Sequence, residues 1–174
     1  LEQRWYEKDW ARLLFAIGLN VAFVIGIVLL FSPQYGLNDD PSIQEFMDGQ
    51  MEQKTPYIMF CNYFLARVFI WLYDITSNAV PIYPLFQYAL MGISFIGTCY
   101  VIFKRLPIIQ AFTVSVCFLC LFGIDGTVNL TYTKTVGLCT VAAFLIMFQA
   151  MHERGTEKWL MLLIGGVLQQ RQCC

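Results

Sequence analysis

Four long apolar runs dominate this chain: Leu13 to Phe31, Leu85 to Phe103, Leu106 to Ile124 and roughly Leu130 to Ala150. A helix that crosses a bilayer needs about 20 mostly apolar residues, and each run supplies that length. Composition agrees. The chain is 58% hydrophobic and 13% charged, against about 45–50% and 25% for a soluble domain. A water-soluble chain of 174 residues has no means of covering its surface with so few polar groups, and a bilayer removes that requirement. The sequence therefore predicts an all-α, polytopic transmembrane helix bundle, a single domain over 1–174 with membrane lipid as its first partner. The formal net charge of -1 gives no sign of a nucleic-acid partner.

The first run follows Arg4, Lys8 and Arg12. It is too long, and its flank too rich in tryptophan and acid, for a cleaved secretory signal. It reads as a retained anchor with Trp5 and Trp10 at the headgroups. A last run starts at Trp159 and fails by Gln169, about two-thirds of a span. The chain is accordingly expected to stop inside a helix, as the N-terminal part of something longer.

Topology turns on Tyr57 to Ile75. The segment is apolar, yet Arg67 sits in its middle and Asp74 lies seven residues on, on the same helical face. An arginine at the centre of a spanning helix costs roughly 2.5–3.5 kcal/mol even on the lenient insertion scale. Charge sidedness offers a second criterion. With the N-terminus cytoplasmic, a spanning Tyr57–Ile75 would put both Lys104-Arg105 and the loop around His152, Arg154 and Lys158 outside. An interfacial or re-entrant helix returns both basic connections to the cytoplasm. The outer loop then runs over 32–84 and holds two amphipathic or interfacial helices. The first starts at Asp40-Pro41, with Ile43, Phe46, Met47 and Met51 on one face and Glu45, Asp48 and Glu52 towards water.

Candidate chemistry gathers on that outer side. Asp39 and Asp40 adjoin the outer end of the first span. Adjacent carboxylates at a membrane surface can hold a divalent metal, or one can take a proton from a hydroxyl. The plainer reading makes Asp40 a helix cap and Asp39 a solvated loop residue. Arg67 and Lys134 are the outer-side cations able to meet a phosphate; either can instead snorkel to headgroups, and Arg67 can pair with Asp74. Cys117-x-x-Cys120 lies mid-run with no second pair nearby, so its thiols read as small hydrophobes. Cys173-Cys174 are lipidation candidates or merely the place where the chain ends. His152, the lone histidine, reads as a solvated loop residue and excludes a multi-histidine metal site within the chain.

The order of a basic flank, a first span, acids just beyond it, an outer loop with two helices, and then further spans resembles the GT-C class of membrane glycosyltransferases. More closely, Tyr35-Gly36-Leu37-Asn38-Asp39-Asp40, Lys54-Thr55-Pro56-Tyr57 and Asn62-Tyr63-Phe64-Leu65 look like an uncharacterised bacterial family assigned to that class. The stretch Asn129-Leu130-Thr131-Tyr132-Thr133-Lys134-Thr135 is similar to a polar patch in those proteins and adds Tyr132 to the substrate-binding candidates. The resemblance implies transfer of a sugar from a polyprenyl-phosphate donor to an envelope or lipid-linked acceptor, at the outer face of the bacterial cytoplasmic membrane. It places the general base, or a Mg or Mn ligand, on Asp39 or Asp40. The competing reading is a non-enzymatic polytopic protein such as a transporter or flippase component. Transporters tend to place ionisable groups near the bilayer midplane, whereas here they collect at the outer interface.

Overall fold

The computed structural model describes residues 8–32, 34–35, 39–51, 53–58, 61–153 and 156–170, without the side chains of 156, 157, 169 and 170. Helix α1 (Asp9–Leu30) leads to a two-residue strand β1 (Gln34–Tyr35), then α2 (Asp39–Asp48) and α3 (Tyr63–Ile75). Helix α4 (Ile82–Arg105) follows, and then a helix over 108–128 built from α5 (Ile108–Phe118), a π-helical turn (Leu119–Gly123) and α6 (Ile124–Val128). Strand β2 (Asn129–Leu130), α7 (Tyr132–Ala150) and α8 (Thr156–Gln170) complete the chain order. Among the described residues, four helices are long and apolar enough to cross a membrane: Asp9–Leu30, Ile82–Arg105, Ile108–Val128 and Tyr132–Ala150. The bundle buries only 17% of the α1 window and 39% of the α4 and α7 windows. The rest is apolar surface that water would penalise at about 25 cal/mol per Å². The chain is an integral membrane protein.

Two long-range links fix which helix ends lie together. Strand β1 pairs in parallel with β2, Gln34 opposite Asn129 and Tyr35 opposite Leu130. That brings the C-terminal ends of α1 and α6 to one end of the bundle. At the other end Lys104 Nζ lies 3.5 Å from the Asp9 carboxylate, and Arg12 reaches the Lys104 carbonyl at 3.5 Å. Helix α4 thus runs antiparallel to α1, and the chain between them leaves and re-enters the bundle at the same end. A traversing Tyr57–Ile75 would have reversed α4 and broken both links.

Local chemistry explains the boundaries. Pro41 sits in the first turn of α2, where no N–H is required. The Asn62 side chain accepts from the Phe64 amide at 2.9 Å and starts α3, so the helix begins six residues after the start of the apolar run. At its end Ser77 and Asn78 take left-handed φ of 50° and 59°, a conformation asparagine tolerates well. Asn78 Nδ2 then donates to the Asp48 carbonyl at 2.9 Å and ties α3 back to α2. Ile43, Met47, Ala66, Phe69, Tyr73 and Tyr83 form the core that seats both short helices on the start of α4. A larger core joins α1, α4 and the third span. There Gly123 allows a close approach: a Cβ at that position would lie 2.7 Å from the tip of the Phe23 ring of α1, which would have to shift.

Two expectations for this region need correction. Asp48 is buried, with its carboxylate accepting from the Gln50 amide and side chain at 3.0 and 3.1 Å rather than from water. Phe46 and Met51 of the expected apolar face are exposed while Ile43 and Met47 are buried: α2 ends at Asp48, before Met51, and only the stripe of Ile43 and Met47 packs on α3. Glu52 lies outside the described residues.

Candidate functional site

Asp39 and Asp40 are successive residues at the start of α2, about 100° apart around the helix, and the fold treats them oppositely. Asp39 is exposed, whereas Asp40 is 3% exposed. The Asp40 carboxylate is the point where α2, α4 and α7 meet. Its Oδ1 accepts from the Tyr83 hydroxyl at 3.0 Å, from Gln87 Nε2 at 2.9 Å and from the Tyr132 backbone N–H at 3.0 Å. Oδ2 takes the longer arm of that amide, at 3.2 Å. Tyr83 and Gln87 stand four residues apart on one face of α4. Tyr132 opens α7, so the carboxylate satisfies an N–H that has no partner within the helix and faces the positive end of its dipole. Thr131 caps the same helix by accepting from the Lys134 amide at 3.3 Å. Among the described residues no lysine or arginine pairs with Asp40; hydrogen-bond donors and a helix terminus carry its charge.

Tyrosine hydroxyls enclose this centre. Tyr73 accepts from the Tyr83 amide at 3.0 Å, and Tyr35 donates to Gln44 Oε1 at 2.5 Å. Burial, reinforced by Tyr73 and Asp40, pushes the Tyr35 phenol far above its ordinary range. Burial likewise raises Tyr73. Both therefore stay protonated and act as donors or neutral acceptors, not as bases.

Against the same wall lies a cavity of about 40 Å³ between α3, α4 and α7, lined among others by Asn62, Phe69, Tyr83, Gln87, Tyr132 and Thr135. Gln87 is 2% exposed and its Oε1 has no hydrogen-bond partner among the described residues. A buried carbonyl left so costs about 1–3 kcal/mol, and the space beside it exceeds the ~10–15 Å³ that one water requires.

The other sequence candidates fall elsewhere. Along α7, Tyr132, Thr135, Val136 and Cys139 face the cavity. Lys134, Gly137, Leu138 and Val141 line a separate crevice of about 310 Å³ against the third span, on the opposite side of the helix. Lys134 is occupied there: its ammonium sits 2.8 Å from the Asp125 carboxylate and 3.4 Å from the Asn129 carbonyl. Arg67 is exposed on α3, stacked 5.9 Å from the Tyr63 ring centroid and 3.3 Å from that hydroxyl. Of the two alternatives for Arg67, the pair with Asp74 is not formed among the described residues; Lys54 holds Asp74 at 2.6 Å. The structure thus joins Asp40 with Tyr132, and does not place Asp39, Arg67 or Lys134 on the cavity wall.

Mg is commonly held by one or two carboxylates with waters completing its shell. Asp40 gives Oδ1 to three protein donors while Asp39 is exposed, and among the described residues no group of three or more His, Cys, Asp or Glu converges. Cys117 and Cys120 are both free and exposed on the bundle surface.

Tyr83 and Gln87 were not anticipated. The available signal was a polar residue pair at i, i+4 inside an otherwise apolar span, which in lipid must turn inward to find a partner. Compared with protein-family models, curated proteins and solved structures, the chain matches none of them.

Proposed function

We propose that the chain is a GT-C-like glycosyltransferase that takes a sugar from a polyprenyl-phosphate donor at the outer face of the bacterial cytoplasmic membrane and passes it to an envelope or lipid-linked acceptor. The observation that carries this reading is the charge polarity of the bundle. Lys8, Arg12, Lys104, Arg105 and Lys158 share one end with Asp9 and Glu153, while Asp39, Asp40, Glu45, Asp48, Asp74 and Asp125 lie at or near the other with Lys54, Arg67 and Lys134. The basic end suits the cytoplasm. The acidic end would then meet a lipid-linked sugar at headgroup level. Helix α3 supports an interfacial placement: Phe64, Val68, Trp71 and Ile75 form one outward stripe, with Phe64 76% and Trp71 60% exposed, and Arg67 beside it.

In this scheme Asp39, the carboxylate open to solvent, accepts the proton of the acceptor hydroxyl as its oxygen bonds to the anomeric carbon. The bond from that carbon to the phosphate oxygen breaks, and the polyprenyl phosphate leaves with the electron pair, its charge met by Arg67. Asp40 and Tyr132 position α2 and α7 around the cavity, and no step passes through a metal. One observation favours the non-enzymatic alternative: the better built of the two aspartates has its Oδ1 fully used in holding helices together. The test is turnover of a polyprenyl-phosphate sugar by the full chain in lipid vesicles. Asp39→Asn is expected to lose about 10²–10⁴-fold at unchanged thermal stability, and Arg67→Ala to raise the donor KM. Full turnover by Asp39→Asn would refute the assignment.

A further inference from the structure

At the basic end a second concavity opens on the outer surface of the bundle, between α1 and α8 with α4 as its floor. It measures about 380 Å³ and is lined by Trp10 and Leu13, by Ile93, Ile96 and Tyr100, and by Leu160 and Ile164 among others. That volume falls in the range of small-ligand sites, about 300–1,000 Å³. Its walls are apolar except at one end, where Asp9 and Tyr100 mark the mouth. We propose that this groove holds one acyl chain of an anionic phospholipid from the leaflet at the basic end.

Length argues for a lipid chain over a protein helix. From Tyr100 to Ile93 the floor covers eight residues of α4, about 10 Å at a rise of 1.5 Å per residue. It stops halfway along the 24-residue helix. A spanning helix would need a trough of about 30 Å, whereas an acyl chain runs from the headgroups only to the midplane. Charge fixes the headgroup. Lys8 directly precedes the lining residue Asp9, Lys158 stands two residues before Leu160, and Lys104 lies one turn beyond Tyr100 with its ammonium 5.7 Å from that ring centroid. The one acid on the wall, Asp9, is already met by Lys104 at 3.5 Å and Arg12 at 3.9 Å. Lys104 is also paired with Glu153 at 2.9 Å, so the headgroup charge falls to Lys8 and Lys158, which stand at the starts of α1 and α8 at this end of the bundle. Trp10 and Trp159, 55% and 72% exposed, sit at the level where aromatic side chains anchor to headgroups.

The experiment uses the full chain in nanodiscs of phosphatidylcholine and phosphatidylglycerol, released gently and weighed by native mass spectrometry. Retained phosphatidylglycerol is expected to exceed its share of the bilayer. Each surface cation is worth about fivefold, so Lys8→Gln with Lys158→Gln should lower the enrichment by about 25-fold. Leu13→Trp or Ile93→Trp fills the groove and should remove bound lipid of both kinds. Equal retention of the two lipids, retention indifferent to the filled groove, or a dimer-to-monomer shift in the filled variants would each overturn the proposal. A second readout needs no core substitution. Phosphatidylglycerol brominated on its acyl chain should quench tryptophan fluorescence more than the phosphatidylcholine analogue does, and Trp10→Phe should erase the difference. Equal quenching by the two would reject the headgroup preference.

Discussion

Removing the Asp40 carboxylate should loosen three helices at once. Asp40→Ala leaves the Tyr83 hydroxyl, the Gln87 amide and the Tyr132 N–H without the acceptor that each now uses at 2.9–3.0 Å. An orphaned buried donor costs about 1–3 kcal/mol, so the three together set an upper bound of roughly 9 kcal/mol. Relaxation of Gln87 towards the adjoining cavity and the relief of a desolvated charge reduce this. About 3–5 kcal/mol is expected, below that bound. Asp40→Asn is milder. It keeps an acceptor at Oδ1 but turns a donor towards the Tyr132 N–H and removes the charge facing the α7 dipole, for about 1–2 kcal/mol. The assay is reversible unfolding in detergent micelles combined with hydrogen exchange at the Tyr132 amide, which should lose protection in both variants. An Asp40→Ala protein within about 1 kcal/mol of the parent, with Tyr132 exchange unchanged, would show that the carboxylate does not hold these helices.

Topology can be tested with single cysteines at Ala79 and His152, both exposed, in a cysteine-free background. An impermeant maleimide added outside intact cells should label Ala79→Cys alone; labelling of both, or of His152→Cys alone, would overturn the orientation. The Lys104–Glu153 pair, 2.9 Å apart, should be visible in pH dependence. The Lys104 ammonium, followed by the Gln149 amide, holds the Glu153 carboxyl below its ordinary 4.5. A carboxyl depressed on folding contributes stability that is present above its ordinary range and lost as pH falls through the folded value. The penalty of Lys104→Met should thus be larger near about pH 7 than near about pH 3; a constant penalty would rule the pair out as its source. Gly123→Leu should cost about 1–3 kcal/mol by overpacking, since even a Cβ would lie 2.7 Å from Phe23, and a neutral result would mean that α1 and the third span approach less closely.

The spans were legible because lipid imposes a length and a polarity that a single stretch of sequence must satisfy alone. Leu85 to Phe103 falls within α4, and Leu130 to Ala150 shares its end with α7. The start of α2 was legible to within a residue or two, since Asp40-Pro41 is a local signal, but Asp40 is inside the helix and its carboxylate serves α4 and α7 instead of capping. What stayed hidden depends on partners distant in sequence. Nothing around Asp74 distinguishes Lys54 from Arg67 as its ion-pair partner. The parallel pairing of Gln34–Tyr35 with Asn129–Leu130 joins stretches far apart in sequence, and the π-helical turn at Leu119–Gly123 has no local signal that was read. Asp125, just past the apolar run read as the third span, was overlooked as the partner of Lys134.

The same distinction bears on Asp39 and Asp40. Read as a dipeptide, they form one acidic motif with one role, metal ligand or base. Once they open a helix, the 100° step between successive residues makes a shared role geometrically difficult, because the face that carries Asp40 into contact with Tyr83, Gln87 and Tyr132 turns Asp39 towards solvent. The buried acid gives the site its rigidity, and the exposed one is left for any chemistry that takes place there. Substituting the two separately therefore separates fold from activity. Asp40 variants should lower stability first and turnover only as a consequence, while Asp39→Asn should lower turnover in a protein that melts like the parent.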